Sequence, residues 1–142
     1  MSEEGKGDFL LWVYPKTDPA ELPALVLAYI GDAVLELYVR TALVNKGLSK
    51  VQKLHKEASN QVRATSQARY LHELEHLLTP EETAVVKRGR NAKSGHAPKN
   101  TDVLDYRLST GFEALFGHLF LTKNEKRIGE LLEYLLKNNS PV

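Results

Sequence analysis

LAYIGDAVLE, residues 27–36, sets one carboxylate, Asp32, directly behind Gly31 inside an apolar run. Both choices are locally unfavourable. A charge left in a greasy helix needs a partner or a metal, and glycine costs about 1 kcal/mol relative to alanine in a helix interior. Side by side, they suggest a site. The same run fixes the local fold. Leu22, Leu25, Val26, Tyr29, Ile30, Ala33, Val34, Leu37 and Tyr38 recur at helical spacing, which predicts a helix from Asp18 and Pro19 to a stop at Asn45–Gly47.

The rest of the chain reads the same way. Ser49 is a candidate cap for a helix to about Arg63, and another helix is expected from about Ser66 to Leu78. Thr79, Pro80 and Glu82 form a capping box opening a helix over about Pro80–Arg88. GRNAKSGHAPKN, residues 89–100, reads as loop. Thr101 is expected to cap a long helix to about Leu121, and Asn124 an amphipathic one to about Asn138. No segment alternates as a strand, so the class is all-α.

A chain of 142 residues with 42% hydrophobic content is one ordinary domain, expected over residues 18–142 behind an extension of residues 1–17. The absence of cysteine excludes disulfides, cysteine-based zinc sites and a thiol nucleophile, and fits a reducing compartment. The apolar run Phe9–Tyr14 is too short for a signal-peptide core or a membrane span, making the cytoplasm the expected location. Net charge is only +1, so a polyanion would need a local patch.

A second carboxylate repeats the opening pattern. Glu113 stands in FEALFG, residues 112–117, among Phe112, Leu115, Phe116, Leu119 and Phe120, with Gly111, Ala114 and Gly117 around it. Small residues let helix backbones approach, so crossing at Gly31 and Gly117 would bring Asp32 and Glu113 together. Two acids meeting there repel unless a cation lies between them. Mg²⁺ suits such a pair, because it takes few protein carboxylates and keeps waters and phosphates as its other ligands. The alternative is that each acid snorkels or caps something locally.

Lys87, Arg88, Arg90, Lys93 and Lys99 put five cations into thirteen residues without an acid, interleaved with Asn91, Ser94, Gly95 and Asn100. A charge run is usually a solvated face, but this one suits phosphates, each neutralised contact adding roughly 0.7–0.9 to the salt slope of binding. Phosphate contacts beside a carboxylate-held Mg²⁺ would serve phosphodiester hydrolysis.

LAYIGDAVLELYV and FEALFGHLFL resemble the two signature segments of the ribonuclease III catalytic domain; with KRGRNAKSG and PKNTD, the chain most resembles the Mini-ribonuclease III branch. The likeness spans about Leu25 to Leu121. It implies an all-helical homodimer that cuts double-stranded RNA with Mg²⁺, or Mn²⁺ as a substitute. It further implies precursor 23S ribosomal RNA as substrate and a large-subunit ribosomal protein as helper. Asp32 matches the catalytic aspartate and Glu113 the metal-binding glutamate. Tyr29 matches the aromatic that enters a socket on the dimer partner. Lys87, Arg88, Arg90, Asn91, Lys93, Lys99 and Asn100 are the expected RNA contacts. Two positions depart from ordinary ribonuclease III: Ala28 replaces a glutamate and Thr110 an aspartate, so Glu36 or Asp105 becomes a candidate outer-shell carboxylate. No double-stranded RNA-binding domain is expected after the second motif. The rival reading, motivated by Ala28 and Thr110, is a non-catalytic RNA-binding or ribosome-associated module of the same fold.

HELEH, residues 72–76, formally matches the H-E-x-x-H zinc-protease pattern. Glu75 puts a charge at a position usually uncharged, and a solvated face with Leu71, Leu74, Leu77 and Leu78 packed inward is the better reading. His55, His96 and His118 have no metal spacing, and no serine shows a histidine and acid arrangement for covalent catalysis.

Overall fold

The structure is a computed structural model describing residues 16–47, 49–92 and 97–139. Among the described residues it holds six α-helices, two single 3₁₀ turns and no strand, as the all-α reading expects. The helices are α1 (Ala24–Asn45), α2 (Val51–Val62), α3 (Ala64–Leu74), α4 (Pro80–Asn91), α5 (Val103–Leu121) and α6 (Glu125–Asn139). The 3₁₀ turns are Pro19–Glu21 and Glu75–Leu77.

Helix α5 is apolar nearly all round, and a helix of that composition belongs inside. From Leu108 to Leu121 only Glu113 and Phe120 are not fully buried. Phe112, Leu115 and Phe116 join Leu35, Leu71, Leu74, Ile128 and Leu131 in the main core, with the other helices packed around them.

Two crossings bring backbone onto backbone. A Cβ at Gly31 would stand 1.7 Å from the Glu113 carbonyl oxygen, and one at Gly117 would stand 1.9 Å from the Leu27 carbonyl oxygen. No side chain fits at either position, so α1 and α5 touch through their main chains. Helix α4 meets α5 likewise: a Cβ at Gly89 would lie 2.8 Å from Gly111 Cα.

Some expected helix ends shift. Pro19–Glu21 is a separate 3₁₀ turn, and α1 begins only at Ala24, after Pro23. Lys50, not Ser49, occupies the cap position of α2. Asp102 rather than Thr101 caps α5, its Oδ1 accepting from the N–H groups of Leu104 and Asp105 at 2.8 and 3.1 Å. Helix α4 continues through Gly89 to Asn91, because that glycine is a packing contact on α5 and not a stop. The capping box forms as expected: Thr79 Oγ1 accepts from Glu82 N–H at 3.1 Å, and Glu82 Oε1 from Thr79 N–H at 2.9 Å.

Glu82 is also buried and paired. Arg127 of α6 donates through Nε to Oε2 and through Nη2 to Oε1, both at 2.8 Å, and Nη2 also reaches the Leu77 carbonyl at 2.8 Å. Burial alone would raise the carboxyl pKa, but the hydrogen bonds and charge of Arg127, with Thr79, hold it below the ordinary glutamate value.

The glycines make a paired test. Gly31→Ala should cost about 3 kcal/mol or more, since neither backbone can give way. Gly129→Ala, in the interior of α6 with nothing near its added Cβ, should stabilise by about 0.5–1 kcal/mol. Urea denaturation of both variants measures this, and a Gly31→Ala midpoint equal to the parent's would contradict the crossing.

Candidate active site

The α1–α5 contact places Asp32 and Glu113 against each other, as the small-residue pattern anticipates. Gly31 seats on the main chain of Glu113, and the carboxyls of Asp32 and Glu113 interact directly. The distribution of burial differs from the sequence expectation, however. Asp32 is exposed, and the desolvated acid is Glu113. Burial first, then the negative charge of Asp32 and a hydrogen bond to it, raise the Glu113 pKa to about 8. Near neutral pH this carboxyl keeps its proton, because two charges in one apolar crossing cannot both stand uncompensated.

No third acid joins them: among the described residues no group of three or more His, Cys, Asp or Glu could hold a metal. Glu36 turns to Arg40, 3.2 Å away. Asp105 lies in the first turn of α5 and completes no such group. Ala28 is buried, and Thr110 is buried with its hydroxyl donating to the Tyr106 carbonyl at 3.0 Å. The residue sequence reasoning missed is Gln67 of α3. It is 2% exposed, its carboxamide lies beside Glu113, and its Nε2 has no hydrogen-bond partner. The only advance signal was a polar residue on a helix whose other polar residues read as solvated.

The basic segment is divided between helix and loop. Lys87, Arg88, Arg90 and Asn91 belong to the last turns of α4, which correct the loop expected to begin at residue 89. Gly89 rests on Gly111, two residues before Glu113, so this basic helix end lies on the helix that carries the acid. Lys87 is exposed, while Arg88 donates from Nη2 to the Leu22 carbonyl at 2.7 Å. Lys99 and Asn100 are exposed before α5, with Asn100 at φ +69°. Lys93 lies outside the described residues.

Tyr29 is 78% exposed, and Leu25, Val26, Leu37 and Val44 are also exposed along α1. Among the described residues nothing covers this apolar face. A cavity of about 850 Å³ opens elsewhere, between α1, α2, α3 and α6, and reaches the acid pair only through Gln67 in its wall.

HELEH does not assemble. Helix α3 ends at Leu74 and the next three residues wind as 3₁₀, so the one-turn α-helical spacing is lost. His72 Nδ1 lies 3.4 Å from Glu75, and His76 Nε2 lies 3.3 Å from the Tyr134 hydroxyl. Leu71 and Leu74 are buried as expected, whereas Leu77 is exposed. His118 Nε2 meets Glu81 at 3.2 Å. No helix among the described residues is long and apolar enough to cross a membrane.

The acid pair fixes the sign of a pH effect. In metal-free protein the folded state holds the Glu113 proton up to about pH 8, while the unfolded chain releases it near 4.5. The contribution of this group is therefore fully present below the unfolded value and is lost as pH rises through the folded one, on the order of 1.4 kcal/mol per pH unit at most. With chelator present, Glu113→Gln should match the parent at about pH 5 and exceed its stability at about pH 8.5. Denaturant midpoints at both pH values measure this, and a less stable variant at the higher pH would contradict the pairing.

The sequence profile of the ribonuclease III domain matches residues 25–124. A Mini-ribonuclease 3 of Symbiobacterium thermophilum is 48% identical over 116 residues, covering 82% of this chain and 89% of the relative. One of Desulfitobacterium hafniense is 54% identical over 108 residues, covering 76% and 68% respectively. A crystal structure of a protein from Fusobacterium nucleatum superposes with a TM-score of 0.77 at 28% identity, covering 87% of this chain and 98% of that one. A profile match across both acid-bearing helices, and about half the residues shared along most of these relatives, give one placement: the chain belongs to the ribonuclease III family, in its Mini-ribonuclease 3 branch.

Proposed function

We propose that this chain, an endoribonuclease by its family, cleaves double-stranded RNA with Mg²⁺ held between Asp32 and Glu113, and that Mn²⁺ can substitute. The observation that carries the reading is the convergence of the two acids at the glycine crossing, where the pair as it stands needs a proton between its members. Such a donor set fits a hard divalent cation, which takes one or two carboxylates and fills its shell with water and phosphate oxygens. When bound, the ion supplies Lewis-acid activation of water and charge for the leaving oxygen.

The protein's own groups divide the remaining work. Glu113, half-enclosed on α5, anchors the ion, and Asp32, on the exposed side, faces the incoming strand and orients the attacking water. Lys87, Arg88, Arg90, Asn91, Lys93, Lys99 and Asn100 hold backbone phosphates; A-form RNA is read largely by shape, phosphates and 2′-hydroxyls. In a homodimer Tyr29 enters a socket on the partner, and the apolar face of α1 around it is covered. Residues 18–142 form the catalytic domain. Family membership alone supports the finer assignments of substrate and helper, maturation of precursor 23S ribosomal RNA ends with a large-subunit ribosomal protein; the cytoplasmic location is the expectation from sequence.

A labelled RNA duplex tests the reading. With Mg²⁺ the parent should cut both strands, and with chelator it should only bind. Asp32→Asn should lose cleavage at least 100-fold while retaining duplex affinity, and Arg88→Ala with Arg90→Ala should weaken binding and flatten its salt dependence. Cleavage by Asp32→Asn at the parent rate would remove the assignment. Binding without cleavage by the parent would make the chain a non-catalytic RNA-binding module, the reading favoured by the absence of a third acid beside the pair among the described residues.

A further inference from the structure

Gln67 reaches Glu113 through a corner that is rigidly built. Arg63 closes α2 and opens α3 in one extended residue, and Ser66 Oγ ties across it to the Asn60 carbonyl at 2.8 Å. One turn further on, the Tyr70 ring packs on Phe112 with centroids 6.1 Å apart, holding α3 against α5 beside Glu113. Ala68 and Leu71, on either side, are buried in the core. The Gln67 side chain is therefore enclosed, with its amide beside Glu113 and its Nε2 in no well-formed hydrogen bond.

Buried donors are almost always satisfied, and one left open calls for a specific cause. A wholly structural residue here would gain by being apolar, since replacing an unsatisfied polar group by a hydrocarbon of similar shape is neutral or stabilising. We propose that Gln67 is a positioning residue: its Nε2 donates to one oxygen of ionised Glu113 and turns the carboxylate so that its remaining lone pairs face the divalent cation. The inference rests on the metal-holding role proposed above for Glu113. A carboxylate oxygen of Glu113 is the acceptor that this buried donor lacks, and a hydrogen bond to a carboxylate is shorter and stronger than one between neutral groups. With Ala28 and Thr110 offering no carboxylate, an amide donor fixing one of the two acids replaces orientation that further acids could give.

The test measures Mn²⁺ binding to the full chain without RNA, by water-proton relaxation, for the parent, Gln67→Met, Gln67→Leu and Glu113→Gln. Both Gln67 variants should bind Mn²⁺ about 10- to 100-fold more weakly, and the Mg²⁺ concentration for half-maximal duplex cleavage should rise in step. Their duplex affinity in chelator should stay at the parent value, and their metal-free melting temperature should be unchanged or higher. Mn²⁺ affinity within twofold of the parent in a folded Gln67 variant, alongside weakened binding by Glu113→Gln, would overturn the role of Gln67 alone. Unchanged affinity in Glu113→Gln as well would overturn the metal site and this inference together.

Discussion

The carbonyl oxygen of Glu113 occupies the space where residue 31 would carry a Cβ, and the geometry of the site follows from that contact. Two helices can meet main chain to main chain only where neither presents a side chain. Gly31 and Gly117 supply that condition reciprocally, each seated on a carbonyl of the other helix. The residue after Gly31 and the residue it touches then carry the two acids, so closeness of the backbones becomes closeness of the carboxyls. Gly89 on Gly111 repeats the device one turn earlier along α5 and brings the basic end of α4 to the same helix. One buried helix thus aligns a carboxylate pair and the basic end of α4.

Two partly enclosed glutamates in this small bundle meet opposite conditions. Glu82 is closed within a capping box and a bidentate arginine, so its negative charge is satisfied and its pKa lies low. Glu113 faces another acid and one amide, and its pKa lies near 8. The first arrangement is complete within the protein and fastens α4 to α6. The second leaves two acids face to face, with a proton held on Glu113 near neutral pH. Perturbed acids of the second kind cluster at functional sites, because the groups that unsettle them are those that bind and activate a ligand.

How much of this could be read from residues alone depended on how local each signal was. The capping box at Thr79 and the small residues at 31 and 117 act within a few positions, so both were legible before coordinates. The depth of Asp32 was not: α1 is apolar on more than one face, and hydropathy cannot separate a core face from an exposed one, as Tyr29 and Leu37 illustrate. Gly89 read as a helix stop because a packing glycine and a terminating glycine look alike until the opposing helix is known. Gln67 and Arg127 were missed for the same reason, since each takes its meaning from a residue more than forty positions away.

The central claim is that Asp32 and Glu113 close on one hard divalent cation. Anomalous diffraction from crystals grown with Mn²⁺ measures this most directly. A peak is expected between the two carboxylates, with Asp32 and Glu113 each contributing an oxygen ligand. A Mn²⁺-loaded crystal whose acid pair is free of such a peak, its carboxyls turned into separate surroundings, would contradict it.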